Sequence, residues 1–293
     1  MHDIRLNRIL VLYKHSAYES YFKILQPLIR GQELPILENE LKYLQQAHQQ
    51  HYATLKHIFK TLKSFKLLYK KYYRGEKINY NAFDFVITIG GDGTFLEAAH
   101  HVKNQLLLGV NSSPQFSVGS YCLANPTTFP SVLKKILEEK VKIRQLQQLN
   151  LKVSAGKKTF NVLNDILICH LNPAVMSRYY LKINNIQERQ RSSGLWISTA
   201  TGSTGAIRSA DGQPMLKDDF RIQYRPRELY PFKNHQYKLR GGILSLKSKV
   251  SIISLMPQGR IYVDGDHISV PFPYGTEAVV THSLKTVKTV TLL

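Results

Sequence analysis

The sequence predicts an α/β N-terminal half followed by an all-β C-terminal half. Its 293 residues, 43% of them hydrophobic, suffice for two cores rather than one. Ahead of Lys140, branched apolar runs alternate with stretches of helical period. Beyond it, short β-branched segments follow one another closely, punctuated by Gly, Pro, Asn and Asp.

Residues 9–13 are a compact apolar run bounded by basic and polar positions, which predicts a buried first strand. Over 38–66, Leu41, Leu44, Ala47, Tyr52, Leu55, Ile58, Phe59 and Leu62 recur mostly three or four apart, the period of one helix face. Lys42, Gln45, Gln49, Lys56 and Lys60 then face water. Residues 83–89 read as a second strand that stops at Gly90-Gly91, residues 95–102 as a helix, and 106–110 as a third strand closed by Asn111-Ser112-Ser113-Pro114. Strand, helix and strand with short connections predict a parallel layer. A further helix fits 131–139, capped by Ser131 after Pro130.

The second half offers short strands at 149–153, 162–169, 179–183, 195–198, 243–246, 250–255, 260–263, 268–270, 278–282 and 287–292. Residues 213–240, interrupted by Pro214, Pro226 and Pro231, read as a long functional loop. The expected division is a nucleotide-binding α/β domain over 1–128, with 280–293 returning to it, and a β-rich domain over 129–279.

Forty Lys+Arg against 20 Asp+Glu give a net charge of +20, which favours polyanionic partners. The two cysteines, Cys122 and Cys169, exclude a disulfide framework, a CxxC pair and a thiolate zinc site, and fit a reducing cytoplasm. The short N-terminal apolar run does not read as a signal peptide, and no run of ~18 apolar residues predicts a membrane span. The adjacent His100 and His101 point about 100° apart on a helix and read as structural.

Three local patterns carry chemistry. In the first, Gly90-Gly91-Asp92-Gly93-Thr94 joins a strand to a helix. Its glycines allow close backbone approach and positive φ, and the helix start offers N–H groups to a phosphate. A carboxylate such as Asp92 beside phosphate makes sense if it binds a metal or orients a hydroxyl, as phosphoryl transfer requires. No Lys follows as in a Walker loop, and Leu96 stands where a dinucleotide fingerprint needs Gly. The second pattern is the hydroxyl-rich run 198–206, containing Thr201, Gly202, Ser203, Thr204 and Ala206, which can hydrogen-bond sugars or phosphates without charge. The third is Asn164-Asp165, two polar residues inside an apolar run, which need partners if buried.

Taken in order, Gly90–Thr94, Gly109-Val110-Asn111, Asn164-Asp165, Thr201-Gly202-Ser203-Thr204 and Val263-Asp264-Gly265-Asp266 resemble the NAD kinase family, from about Asp84 onward. The Gly90–Thr94 pattern alone is shared with diacylglycerol- and sphingosine-type lipid kinases. The Asn-acidic pair with the Thr201–Thr204 segment makes the likeness specific, and the stretch from Asn164 to Leu195 is most similar to the NADH-kinase branch. The resemblance implies a phosphofructokinase/diacylglycerol-kinase-like parallel sheet, a β-rich second domain and a homodimer or homotetramer. It implies ATP-dependent phosphorylation of the adenosine-ribose 2′-hydroxyl of NAD⁺ or NADH, with Mg²⁺ or another divalent metal. Asp92 is then the catalytic base or hydroxyl-orienting group. Gly90, Gly91, Gly93 and Thr94 line the phosphate path, and Asn164, Asp165, Ser193, Thr201, Gly202, Ser203, Thr204 and Ala206 line the NAD site.

Three positions depart from the family pattern. Asp165 stands where Glu is usual, Ala206 where Tyr usually follows, and Ser193 where many members have Asp beside the nicotinamide. The reduced ring is neutral and the oxidised ring cationic, so Ser193 is expected to favour NADH acceptance. Two alternatives remain at this level: a lipid kinase using the same glycine turn, and a non-enzymatic basic nucleotide- or nucleic-acid-binding protein. The 17 Tyr and 12 Phe are spread along the chain rather than concentrated as a stacking platform, which disfavours a nucleic-acid partner.

Overall fold

The structure is a computed structural model and describes residues 4–21, 35–231, 236–266 and 268–293. The chain divides into two units, Met1–Arg144 with Lys288–Leu293, and Gln145–Val287.

The first unit is built on a parallel sheet. Its strands are β1 (Ile9–Tyr13), β2 (Tyr69–Tyr73), β3 (Phe85–Gly90), β4 (Leu106–Asn111) and the short β5 (Cys122–Ala124), in the order β2-β1-β3-β4-β5. Residue Ile9 pairs with Tyr69 on one side and Phe85 on the other, and Phe85 with Leu106. Near the C-terminus, Thr289 also joins Leu107 in parallel register. Helix α1 (Pro35–Ser64) sets Leu55, Ile58 and Leu62 against one face, and α3 (Phe129–Leu137) adds Phe129, Val132, Leu133 and Ile136. Helix α2 (Asp92–His101) covers the other face, where Phe95 packs beside Gly109, leaving no room for a Cβ there. With helices on both faces, β3 and β4 are buried at every position, which explains their unbroken apolar runs.

The helix α3 begins at Phe129, so Ser131 lies inside it and does not cap it. The turn before it is held by Asn125, whose Oδ1 accepts the amides of Thr127 and Thr128. Because α3 shares the first unit's core, the dividing line falls after Arg144 rather than after residue 128.

The long strand β6 (Val141–Val153) leads into the second unit, which has two sheets. One holds β7 (Lys158–Val162), β9 (Ser177–Ile183), β10 (Ile186–Ser192), β14 (Val250–Ser254) and β17 (Glu277–Leu292) with β6. The other is antiparallel, made of β8 (Asp165–His170), β11 (Gly194–Ser198), β12 (Ile222–Arg227), β13 (Gly242–Leu244), β15 (Gly259–Val263) and β16 (Ile268–Pro271), in the order β13-β12-β11-β8-β15-β16. Their inward residues, among them Leu149, Ile166, Tyr179, Ile197 and Ile252, form one core. The expected strand 162–169 and the expected pair 278–282 and 287–292 differ in detail. The first is broken by a turn at Leu163-Asn164, and the second is one continuous strand. Residues 213–240 are not all loop, since they contain β12; residues 232–235 lie outside the described residues. Among the described residues no helix is long and apolar enough to cross a membrane.

Candidate active site

In the first unit, the Gly90–Thr94 turn lies at the carboxyl end of β3, the edge of a parallel sheet where ligands bind. Asp92 is the first residue of α2, so its charge suits the helix start. Its two oxygens each accept one backbone N–H, Oδ2 from Ser120 at 3.0 Å and Oδ1 from Tyr121 at 2.8 Å. A carboxylate offers about four lone-pair sites, so each oxygen can accept one more donor. Asn111 ties down the same loop. Its Nδ2 donates to the Ser117 carbonyl and its Oδ1 accepts the Ser113 amide and the Ser117 hydroxyl.

Of the two reasons the sequence gives for these glycines, close approach and positive φ, the second is not realised. None of Gly90, Gly91 or Gly93 has positive φ. Gly90 is required by close approach, because a Cβ there would lie 2.3 Å from the Thr94 hydroxyl. That hydroxyl is buried and has no hydrogen-bond partner among the described residues. Among the described residues no group of three His, Cys, Asp or Glu could hold a metal. The acidic donor at this turn, Asp92, fits a divalent ion that arrives on substrate phosphates, which needs only one or two carboxylates from the protein.

In the second unit, the turn at Leu163-Asn164 is fixed by Asp264. Its carboxylate accepts the amides of Leu163 at 2.9 Å, Asn164 at 2.6 Å and Asp165 at 3.1 Å. Asp264 is buried and adopts a left-handed backbone, φ 52°, which aspartate tolerates better than most residues. Asp165 opens β8 opposite Ser198 of β11. Asp165 is 4% exposed, and its carboxylate accepts no hydrogen bond among the described residues. Burial, with the charge of Asp264 adding to it, pushes the Asp165 carboxyl up to about 7 from an ordinary 3.8. Both side chains of the pair face Gly205: a Cβ there would lie 3.7 Å from Asp165 Oδ2 and 4.0 Å from Asn164 Nδ2.

The segment Thr201–Thr204 is a 3₁₀ turn rather than an open loop, followed by another over Ala206–Ala210. Its hydroxyls mostly point inward. Thr199 and Thr201 donate to the Leu163 carbonyl at 2.6 and 3.0 Å, and Ser203 donates to Ala200 and accepts the Met215 amide. These groups build the turn that faces Asn164 and Asp165, while Thr204 and Ala206 remain exposed. Gly202 permits the contact, since a Cβ there would lie 2.1 Å from the Asn164 carbonyl oxygen. The structure therefore brings Asn164, Asp165 and Thr201–Ala206 together. Ser193 sits elsewhere in the unit, donating its amide to Arg227 just before β11, about 17 Å along that strand from Ser198. Among the arginines, Arg221 is bound to Asp219 and Arg225 to the Ala210 carbonyl.

Sequence reasoning misses the Ser120 and Tyr121 amides, and it places Asp264 within a motif without giving its carboxylate a role. An acid between Val263 and Gly265 at a strand end is the available signal for Asp264; nothing local marks the amides. The state of Asp165 gives a direct prediction. Its folded pKa lies above the unfolded value, so the native state binds more protons between about 4 and 7 and loses stability as pH rises through that window. Each pH unit there subtracts about 1.4 kcal/mol at most. Asp165→Asn removes the dependence: thermal unfolding should show the variant gaining on wild type by several degrees between pH 5 and pH 8. Parallel Tm profiles would count against the buried charge.

Residues 14–141 match the sequence family described as "ATP-NAD kinase N-terminal domain". The chain is 30% identical to a "Probable NADH kinase" of Oryza sativa subsp. japonica, over 66% of this chain and 66% of that protein. It is 29% identical to an "NAD kinase" of Clostridium tetani, covering 69% and 73%. It is 33% identical to an "NADH kinase" of Arabidopsis thaliana, covering 48% and 53%. The matched part thus spans between about half and three quarters of these relatives. Among solved structures, an NAD kinase from Archaeoglobus fulgidus in complex with ATP superposes with a TM-score of 0.67 at 20% identity, covering 96% of this chain and 92% of that one, which shows the shared fold.

Proposed function

The chain belongs to the NAD kinase family, and on that premise we propose that it transfers the terminal phosphoryl group of ATP to the adenosine-ribose 2′-hydroxyl of NAD⁺ or NADH. The observation that carries this reading is the carboxylate of Asp92, held by two amides at the first turn of α2 with lone pairs to spare. A ribose hydroxyl is a poor nucleophile. Asp92 accepts its proton as the oxygen attacks the γ-phosphorus and the bond to the leaving ADP oxygen breaks. The Gly90–Thr94 turn lets backbone N–H groups approach the phosphates, and the Thr94 hydroxyl is a further donor. A divalent cation, Mg²⁺ by the same reading, would be carried by the phosphates near Asp92 and stabilise the charge on the transferring group.

In the second unit, Asp165 accepts hydrogen bonds from sugar hydroxyls, which supply the partner its carboxylate lacks. Asn164 and the Thr201–Ala206 turn shape the rest of the dinucleotide site, with Ser193 on the nicotinamide side. Cys122 and Cys169 form no disulfide, which agrees with a reducing cytoplasm. A homo-oligomer is part of the reading, and size-exclusion chromatography checks it.

One incubation tests the activity. Purified protein, Mg-ATP and either NAD⁺ or NADH should yield NADP(H), read with a coupled NADP-specific dehydrogenase. Absence of product from both, across several donors and divalent metals, would overturn the proposal. For the cofactor preference, Ser193→Asp should shift the ratio of kcat/KM towards NAD⁺ by about tenfold, the order of one charge interaction in a partly buried site. An unchanged ratio removes Ser193 from the nicotinamide side.

A further inference from the structure

Alongside α1, the first unit carries a cleft of 630 Å³ that phosphoryl transfer does not use and that shares no residue with the Gly90–Thr94 turn. Strand β2 is the edge of the sheet, and Tyr69, Lys71 and Tyr73 alternate along it onto one face. Tyr13 of β1 pairs with Tyr73, and α1 brings Phe59 over them. The fold thus gathers aromatic residues that are far apart in sequence. Phe59 lies parallel to Tyr69 with centroids 5.8 Å apart, Tyr13 meets Phe59 edge-on at 6.0 Å, and Tyr13 and Tyr73 are 4.3 Å apart. All four rings are half-buried and line the cleft, and His15 stacks on Tyr73 with centroids 4.0 Å apart.

The rim is cationic. Lys71 Nζ sits 4.9 Å from the Phe59 centroid, while Lys56, Lys60 and Lys63 are exposed on α1 and form no ion pair among the described residues. These three recur at i, i+4 and i+7, a row of about 10 Å along the helix, longer than a single phosphate requires. Two carboxylates are tied in at the margins, Glu19 accepting the Tyr52 hydroxyl at 2.6 Å and Glu76 accepting the Tyr73 amide at 3.1 Å.

We propose that this cleft binds a short single-stranded stretch of nucleic acid, with bases against the aromatic rings and phosphates along the lysine row. Aromatic faces accept any base, and lysines that lack acidic partners are available to replace the counterions of a phosphate backbone. The expectation drawn from the scattered Tyr and Phe is reversed by their position in space, and part of the +20 charge gains a role.

Fluorescence anisotropy with a labelled oligothymidylate of eight residues tests the inference. Wild type should bind with an affinity that falls steeply with salt. The variant Lys56→Gln/Lys60→Gln/Lys63→Gln, whose substitutions lie on an exposed helix face and should leave Tm unchanged, should bind at least tenfold more weakly, with a salt slope reduced by about 2. An abasic strand of equal length should also bind at least tenfold more weakly. Failure of wild type to bind, equal binding by the triple variant, or equal binding of the abasic strand would each overturn the proposal. Displacement by thymidine monophosphate at the same nucleotide concentration would overturn it in favour of a free-nucleotide site.

Discussion

Asp92→Asn is expected to lower kcat for NAD(H) phosphorylation by about 10²–10⁴, the range for a lost general base, with far less change in KM. Asparagine keeps one carbonyl oxygen and so one of the two amide bonds to Ser120 and Tyr121. Its NH₂ then opposes the other N–H, so the loop should loosen and Tm fall by a few degrees. The chemical and structural contributions separate in Asp92→Ser, which removes both amide anchors and the base. If Asp92 acts on the hydroxyl, both variants lose the catalytic step to a similar extent, while Tm falls further in the serine variant. A kcat for Asp92→Asn within threefold of wild type would remove Asp92 from the chemistry and leave it as a loop anchor.

The second large effect is expected at Gly202. An added methyl would lie 2.1 Å from the Asn164 carbonyl oxygen and 2.6 Å from its carbon, backbone atoms with no rotamer to retreat into. The turn and the Asn164-Asp165 segment must therefore separate. Gly202→Ala should cost about 1–3 kcal/mol of stability by overpacking. It should also weaken NAD(H) binding by more than tenfold. Thermal unfolding with and without NADH reads both: wild type gains stability from the ligand and the variant gains little. Gly91→Ala is the contrast, since its methyl would meet Ser117 at 3.7 Å, an ordinary contact. Gly202→Ala with wild-type Tm and a full NADH shift would show that the turn has room the distances deny.

Much of the first unit was legible because its signals are local. Ile9–Tyr13 is an uninterrupted apolar run, and the abrupt change from Ile89 to Gly90-Gly91 marks the end of β3. Strand β2 escaped because Tyr-Lys-Lys-Tyr-Tyr is half exposed at a sheet edge and lacks apolar alternation. Strand β10 escaped for a similar reason, being polar along most of its length. Strand β12 was hidden by Pro226. Its pairing with β13 covers only Ile222–Tyr224, so at Pro226 one side of the strand has no ladder to break. In the site, Asp92, Asn164 and Asp165 could be read from their neighbours. The inward turn of the Thr199, Thr201 and Ser203 hydroxyls could not, because it depends on carbonyls of Leu163 and Ala200 whose position only the fold sets.

The knot that Asp264 makes with the amides of residues 163–165 spans 99 to 101 positions of chain. A ribosome that has just completed the Leu163-Asn164 turn must therefore add about a hundred residues before that turn can be locked. Until then the three N–H groups have water as their acceptor, while β8, β11, β12 and β13 can already pair. Such long-range closure places the Leu163–Asp165 turn among the late events of folding. A nascent chain halted before Val263 would accordingly lack β16, β17 and Asp264 together, and with them a fixed Leu163-Asn164 turn.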